Sequence, residues 1–87
     1  MEVRHTLRKW EKDWGYLGFN KEEAAKLFYN SKDKRFSVFI EGIELFDRHV
    51  DRWRRIWIGK EPLAQFEVGD ILICSKDSSG TYRIRRR

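Results

Sequence analysis

Two basic segments of this sequence carry side chains that are suited to binding a polyanion. The first contains Arg8, Lys9 and Lys12 around Trp10, and the second, residues 47–55, is the most cationic stretch in the interior of the chain. The candidate binding residues of the second segment are Arg48, His49, Arg52, Trp53, Arg54 and Arg55. An arginine guanidinium can pair with a guanine edge through two hydrogen bonds or hold a phosphate, whereas lysine mainly contacts the phosphate backbone. Both segments are therefore predicted to bind nucleic acid.

Each of these features has a second interpretation. The arginines of residues 47–55 could instead pair with the two aspartates of that segment in an ordinary solvated hairpin tip. Trp10 and Trp53 could stack on unpaired bases, which would suit a single-strand or RNA binder. We favour core packing for both, and we assign Trp14 and Trp57 to the core because they lie nearer to apolar strand positions.

The composition is that of a small basic domain rich in aromatic residues. The 87 residues are 40% hydrophobic and 38% charged, and 19 Lys and Arg against 14 Asp and Glu give a net charge of +5. This charge favours a polyanionic partner, with double-stranded DNA expected first and RNA as the alternative. We expect a single domain over residues 1–87, which could belong to a larger protein because the chain ends in three arginines.

Cysteine usage and hydropathy favour a location inside the cell. The single cysteine, Cys74, cannot form an internal disulfide or a thiolate metal site, and within an apolar strand it is expected to be an inert core residue. No apolar run approaches the roughly 18 residues of a membrane span, and the charged amino terminus does not resemble a signal peptide. We therefore expect a cytoplasmic protein with no membrane partner.

Catalysis is not expected from the residues present. His5 and His49 can be combined with Glu44, Asp47 or Asp51 as an acid–base pair, but nothing in their spacing is diagnostic of one. Neither histidine belongs to a pair with metal-ligand spacing, and the sequence has no glycine-rich phosphate loop or nucleophile elbow. We expect no enzyme activity, no cofactor, no metal and no small-molecule substrate.

Residues 15–28 are expected to form the element around which the other elements are arranged. A short aromatic strand leads to Asn20, which can cap a helix, and Glu23 three residues later can complete a capping box. Phe19 before the cap can pack against Ala24 as a hydrophobic staple. The expected apolar face consists of Ala24, Ala25, Leu27 and Phe28, and residues 30–34 are expected to end the helix.

The segment before this helix is predicted to be a strand followed by a loop. Val3, His5 and Leu7 fall on one side of a half-buried strand over residues 2–7. Residues 8–14 also show helical spacing of their apolar residues, but we favour a loop there. Gly15 and Gly18 would each cost about 1 kcal/mol in one continuous helix through to residue 28.

The remainder of the chain is predicted to form strands. A hairpin over residues 35–45 turns at Glu41 and Gly42, and residues 47–55 form a long exposed loop or hairpin tip. Strands follow at residues 55–59, 71–74 and 81–84, with Pro62 ending the first of them and a polar turn over residues 76–80. The predicted fold is mainly β: a small open β-barrel, or pseudobarrel, of about six to seven strands with one short capping α-helix near residues 20–29.

Two motifs resemble those of the B3-type DNA-binding domains and of the related pseudobarrel domains that restriction endonucleases use for target recognition. Residues 16–28 are similar to the strand of that family that runs straight into a short helix with the pattern Lys-x-x-Ala-x-x-Leu, here Lys21, Ala24 and Leu27. Residues 66–71 are similar to its Leu-x-x-Gly-Asp-hydrophobic turn. The chain is shorter than the plant domains and is expected to lack their second helix, which would fall between Gly59 and Leu63. Both departures favour a bacterial or phage-type member.

The resemblance implies a mode of binding as well as a fold. B3-like domains grip the DNA major groove with two projections, which the resemblance locates after the first strand and between the fourth and fifth strands. These are the two basic segments described above. The expected function is sequence-specific recognition of double-stranded DNA without catalysis, as the specificity module of a restriction or modification-dependent endonuclease. The alternatives are an RNA-binding barrel of the SH3-like or PUA-like kind and a protein-interaction barrel.

Overall fold

The computed structural model describes residues 2–29 and 34–87, which form seven strands and three short helices. In chain order the elements are β1 (Glu2–Thr6), α1 (Lys9–Trp14), β2 (Tyr16–Gly18), α2 (Lys21–Leu27), β3 (Phe36–Ile40), β4 (Ile43–Arg48), β5 (Arg55–Trp57), α3 (Lys60–Leu63), β6 (Ile71–Lys76) and β7 (Tyr82–Arg86). The mainly β fold and the number of strands agree with the prediction. None of these helices is long and apolar enough to cross a membrane.

The strands form two sheets. A five-stranded sheet has the order β1-β6-β7-β3-β4, and its strands are antiparallel except for the parallel pair β3 and β7. Strands β2 and β5 form a separate antiparallel ribbon. Within the described ranges the ribbon is not hydrogen-bonded to the larger sheet, so the sheets do not close into one barrel.

Buried side chains from both sheets and from α2 form one core. Val3, His5 and Leu7 point inward as their alternation predicted, and the run Leu72, Ile73 and Cys74 of β6 is buried as well. Leu17 and Ile56 supply the inner face of the ribbon, and Val38, Ile40, Tyr82 and Ile84 supply that of β3 and β7. The ribbon is therefore fixed on the core by its two central residues.

Helix α2 begins as the sequence predicted. The side chain of Asn20 accepts a hydrogen bond from the backbone N–H of Glu23 at 2.8 Å, and the Glu23 carboxylate accepts one from the backbone N–H of Asn20 at 2.9 Å. Leu27 and Phe28 are buried, but Ala25 is exposed, so its assignment to the apolar face was wrong. The helix ends at Leu27, and residues 30–33, which were expected to contribute to its end, lie outside the described residues.

The expectation of a loop over residues 8–14 was wrong, because α1 forms there. The Glu11 carboxylate accepts a hydrogen bond from the backbone N–H of Arg8 at 2.8 Å and so holds the first turn. Gly15 ends the helix in the left-handed conformation, with φ of 83°. A Cβ at this position would lie 2.8 Å from the backbone nitrogen of Lys60, so both the backbone angle and the close approach require glycine.

The expected absence of a helix between Gly59 and Leu63 was also wrong. Helix α3 covers Lys60–Leu63 and follows Gly59, whose φ is 109°. Pro62 does not prevent this helix, since the first turn of a helix needs no donor from proline. Leu63 is fully buried and fixes the helix on the core. The prediction of one capping helix therefore missed two short helices.

The second basic segment is partly strand rather than all loop. The hairpin turns at Glu41 and Gly42 as predicted, with φ of 43° and 85°, and β4 then continues to Arg48. Val50 forms a bridge with Ile56 and packs against the core. The connection between β4 and β5 is thus confined to residues 49–54, which is shorter than the predicted loop over residues 47–55.

Candidate nucleic-acid interface

The ribbon of β2 and β5 presents one face to the core and one to the exterior. Leu17 pairs with Ile56, and these two side chains are 0% and 1% exposed. The flanking pairs, Tyr16 with Trp57 and Gly18 with Arg55, therefore lie on the outer side, because side chains alternate along a strand. We call the side chains of Tyr16, Arg55 and Trp57 the ribbon face.

The ribbon face is held together by ring and charge contacts. The Arg55 guanidinium carbon lies 5.3 Å from the Tyr16 ring centroid and 5.1 Å from that of Trp57, and the two rings are 5.0 Å apart. The carboxylate of Asp51 accepts hydrogen bonds from Nε of Arg55 at 3.0 Å and from Nε1 of Trp57 at 3.2 Å. This cationic and aromatic surface is therefore ordered by the protein's own contacts.

Residues 7–15 connect β1 to β2, and we call them the first arm. The Arg8 guanidinium carbon lies 5.6 Å from the ring centroid of Trp10, and both residues are exposed. Lys9 is paired with Asp13 at 2.8 Å, and the ammonium of Lys12 donates to the backbone carbonyl of Phe66. Among the described residues Arg8 has no carboxylate partner, which leaves it the cation of this arm best able to contact a ligand.

Residues 49–54 connect β4 to β5, and we call them the second arm. Asp51 folds this arm by accepting hydrogen bonds from the backbone N–H groups of Trp53 at 2.8 Å and Arg55 at 3.0 Å. The Arg54 side chain turns inward, and its Nε donates to the carbonyl of Phe19 at 3.1 Å. Arg54 is thus half-buried and holds the backbone at Phe19, whereas an exposed loop residue was expected; its role in DNA binding stays a prediction.

Arg52 and Trp53 are the outward pair of the second arm. The Arg52 guanidinium carbon lies 5.1 Å from a Trp53 ring centroid, and Trp53 is 60% exposed. No carboxylate partner for Arg52 is found in the described part of the chain. Each arm therefore carries the same motif, an exposed arginine over an exposed tryptophan.

The two arms meet the same ribbon at opposite ends. The first arm leads directly into Tyr16, and the second leads directly into Arg55, which pairs with Gly18 at the other end. The carbonyl of Arg54 also accepts the backbone N–H of Phe19 just beyond that end, at 2.9 Å. The fold therefore brings the two predicted basic segments to one small sheet, with the ribbon face between their points of attachment.

A small hollow joins the second arm to the ribbon face. Its volume is about 160 Å³, and it is lined by Arg35, Asp47, Arg48, His49 and Trp57. Nε of Arg48 is buried and has no hydrogen-bond partner among the described residues. The hollow lies between His49 of the second arm and Trp57 of the ribbon face.

The assignment of the four tryptophans to the core was wrong. Trp10, Trp14, Trp53 and Trp57 are 51%, 67%, 60% and 39% exposed. Smaller aliphatic neighbours take the inner positions instead, as Ile56 and Ile58 do on either side of Trp57. The alternation of residues 55–58 indicates that Trp57 faces outward. The same reasoning applied to residues 16–18 places Tyr16 on the outer face, because Leu17 faces inward.

A buried cluster supports the first arm from beneath, and the sequence analysis missed it. Nε2 of His5 lies 2.7 Å from Oε2 of Glu11, and its Nδ1 lies 3.1 Å from Oε2 of Glu23. Burial alone lowers the pKa of His5, but the hydrogen bonds and charges of the two glutamates outweigh it and raise the pKa above the ordinary value of 6.5. Burial is also the main cause that raises the pKa of Cys74 to about 12, which keeps that thiol protonated and unreactive.

Comparisons of this chain with protein family models, with characterised proteins and with solved structures find no match.

Proposed function

We propose that this domain recognises double-stranded DNA without catalysis, as a small pseudobarrel that inserts its two arms into the major groove. The observation that carries the proposal is the attachment of two arms, each with an exposed arginine over a tryptophan, to opposite ends of one ribbon. Arg8 and Arg52 read base edges or hold phosphates, and the ribbon face with Arg55 lies between them. His49 and Arg48 extend the contact along the hollow.

The dimensions of the ribbon are compatible with one groove. Three residues of strand extend about 10 Å at roughly 3.3 Å per residue, and the major groove of B-DNA is about 12 Å wide. Arms that start at the two ends of such a ribbon can enter a single groove together. The net charge of +5 supplies the general attraction to phosphate.

The order of the elements also supports this proposal. The arms lie between β1 and β2 and between β4 and β5, which is where the resemblance to B3-like domains expects the two projections. Helix α2 follows the second strand, and α3 now occupies the position of the helix that the sequence was expected to lack. We accordingly propose a cytoplasmic specificity module of a restriction or modification-dependent endonuclease.

The test compares a variant that lacks two arginines of the arms with a variant that lacks two arginines on another surface. Arg8→Ala combined with Arg52→Ala removes the outward cation of each arm. Arg4→Ala combined with Arg85→Ala removes two exposed arginines from the outer side of the five-stranded sheet, where their strand neighbours Val3 and Ile84 point inward. The dissociation constant of a fluorescent duplex is measured for both variants over a range of salt concentrations.

We expect the arm variant to lose about 1–3 kcal/mol of binding free energy for each base-reading contact, or about one unit of salt slope for each phosphate contact. The sheet variant should lose only the weak, general attraction that follows net charge. Equal losses from the two variants would contradict the two-arm proposal.

The exposed tryptophans support a second candidate function, binding to RNA or to single strands. Stacking of a base on an aromatic side chain contributes about 1–3 kcal/mol and needs an unpaired base. Trp10, Trp53 and Trp57 are all exposed next to an arginine. Competition of the labelled duplex with single-stranded DNA and with structured RNA separates the two functions, since tighter binding of either competitor would favour this candidate over duplex recognition.

A further inference from the structure

Glu11 lies at the base of the first arm and is completely buried. Its Oε1 accepts the backbone N–H of Arg8 at 2.8 Å, and its Oε2 accepts the backbone N–H of Gly18 at 2.7 Å and faces Nε2 of His5 at 2.7 Å. A buried carboxylate is stable only when its oxygens are paired in this way. One side chain thus joins the beginning of the arm, the strand that follows it, and β1.

We infer that Glu11 is a positioning residue for nucleic-acid binding, which sets the direction in which Arg8 and Trp10 leave the domain. The inference rests on the proposed function, because it concerns how the first arm is presented to its ligand. Glu11 itself contacts no ligand, since it is 0% exposed. It acts by fixing the backbone at Arg8, the residue whose side chain is free to contact the groove.

Glu11 and Glu23 both contact His5, but their carboxylate oxygens have different hydrogen-bond partners. His5 contacts Glu11 from α1 and Glu23 from α2, and its ring centroid lies 4.9 Å from that of Phe19. Both oxygens of Glu11 accept backbone N–H groups, so an amide at this position would direct its NH₂ against one of them. In Glu23 only Oε1 accepts a backbone N–H, that of Asn20, while Oε2 faces the imidazole.

These different surroundings make Glu11→Gln and Glu23→Gln a matched pair of variants. A glutamine at position 23 can keep the bond from Asn20 and donate its NH₂ to Nδ1 of a neutral His5, so the local structure survives. A glutamine at position 11 must lose the bond from either Arg8 or Gly18, so the arm is released. The two substitutions have the same size and the same change in charge.

The experiment measures duplex affinity for both variants, alone and in combination with Arg8→Ala. We expect Glu11→Gln and Arg8→Ala each to weaken binding roughly 5- to 150-fold, and Glu23→Gln to change it less than about twofold. Because Glu11 acts through Arg8, Arg8→Ala should cause little further loss in the Glu11→Gln protein. It should cause its full loss in the Glu23→Gln protein. Additive losses in the Glu11→Gln protein, or an unchanged affinity of that folded variant, would overturn the inference.

A second measurement uses the free wild-type protein and does not depend on DNA binding. The backbone N–H groups of Arg8 and Gly18 are held by Glu11, so both should exchange slowly with solvent deuterium. Rapid exchange at both sites would overturn the positioning role even if Glu11→Gln fails to fold. If exchange is slow but the protein binds no duplex, Glu11 still anchors the arm. The absence of duplex binding would then contradict the proposed function.

Discussion

One carboxylate accepts hydrogen bonds from the backbone of each arm, but the carboxylate of the first arm is buried and that of the second is partly exposed. Glu11 is fully buried, and its side-chain partner is His5. Asp51 is partly exposed, and its side-chain partners are Arg55 and Trp57. The first arm is therefore anchored in the core of the domain, whereas the second is folded on its surface.

This difference determines which arm responds to pH and in which range. His5 loses its proton as the pH rises through its folded-state pKa, which lies above 6.5, while the guanidinium of Arg55 stays charged throughout. Burial acts against the charged form of Asp51, but four hydrogen bonds from Trp53, Arg55 and Trp57 outweigh it and lower the pKa of this carboxylate below 3.8. The contacts that hold the first arm should therefore weaken in alkaline conditions, and those that hold the second arm should weaken in acidic conditions.

The largest effect is expected from removing the buried carboxylate. Glu11→Ala leaves Nε2 of His5 and two backbone N–H groups without their acceptor, and breaking a buried pair in this way costs about 3–5 kcal/mol. The free energy of unfolding in urea measures this loss. A cost below about 1 kcal/mol would mean that the first arm is not anchored by Glu11 and that the contrast between the arms is wrong.

The pH dependence of stability should reveal the first arm in the alkaline range, whereas the acidic range contains both Asp51 and Asp77, whose pKa is lowered to about 2 mainly by the hydrogen bond from Ser79. Since folding raises the pKa of His5 above 6.5, its contribution is complete below about pH 6.5 and is lost as the pH rises through the folded-state value. The contribution of Asp51 is present above about pH 3.8 and is lost as the pH falls through its lowered folded-state value.

Urea unfolding measured from acidic to alkaline pH tests both ranges in one protein. Glu23→Gln should flatten the alkaline part of the profile, because the new amide can donate to the neutral imidazole. The acidic part should be unchanged in this variant. A wild-type profile that stays flat above neutral pH would contradict the assignment of His5 as a charged partner of the two glutamates.

A smaller loss of stability is expected from Asp51→Asn. The amide oxygen can still accept the backbone N–H groups of Trp53 and Arg55, but the NH₂ group cannot accept from the side chains of Arg55 and Trp57. Loss of a hydrogen bond to a charged group costs about 1.5–3 kcal/mol. Urea unfolding measures the stability, and the indole N–H resonance of Trp57 should shift as its acceptor is lost. An unchanged resonance would show that Asp51 does not order the ribbon face.

The parts of this fold that could be predicted from the sequence are those set by neighbouring residues. The capping box of Asn20 and Glu23 spans three residues, and the hairpin at Glu41 and Gly42 follows from alternation and turn chemistry. The helix α1 was missed because Arg8 is not a usual capping residue. Glu11 stabilises that turn from a buried position, which depends on tertiary contacts.

The candidate site was harder to predict because the size of a side chain does not determine whether it is buried. The tryptophans were expected in the core of this small domain, yet Leu17 and Ile56 fill the inner face of the ribbon and leave Trp57 outside. The pairing of His5 with Glu23 joins residues 18 positions apart and cannot be inferred from local patterns. The prediction of a polyanionic ligand rested on composition alone, whereas the attachment of both arms to one ribbon follows from the strand register.

The smallest effect is expected from Asn20→Ala, which belongs to neither arm. The substitution removes the oxygen that accepts the backbone N–H of Glu23, and loss of such a cap costs about 0.5–2 kcal/mol. The backbone N–H of residue 20 remains available to Oε1 of Glu23, so the bond between Glu23 and His5 should survive. Stability measured in urea should therefore fall while duplex affinity stays constant. A loss of affinity comparable to that of Glu11→Gln would mean that the start of α2 also positions the first arm. The core anchor of that arm would then consist of α2 as well as Glu11.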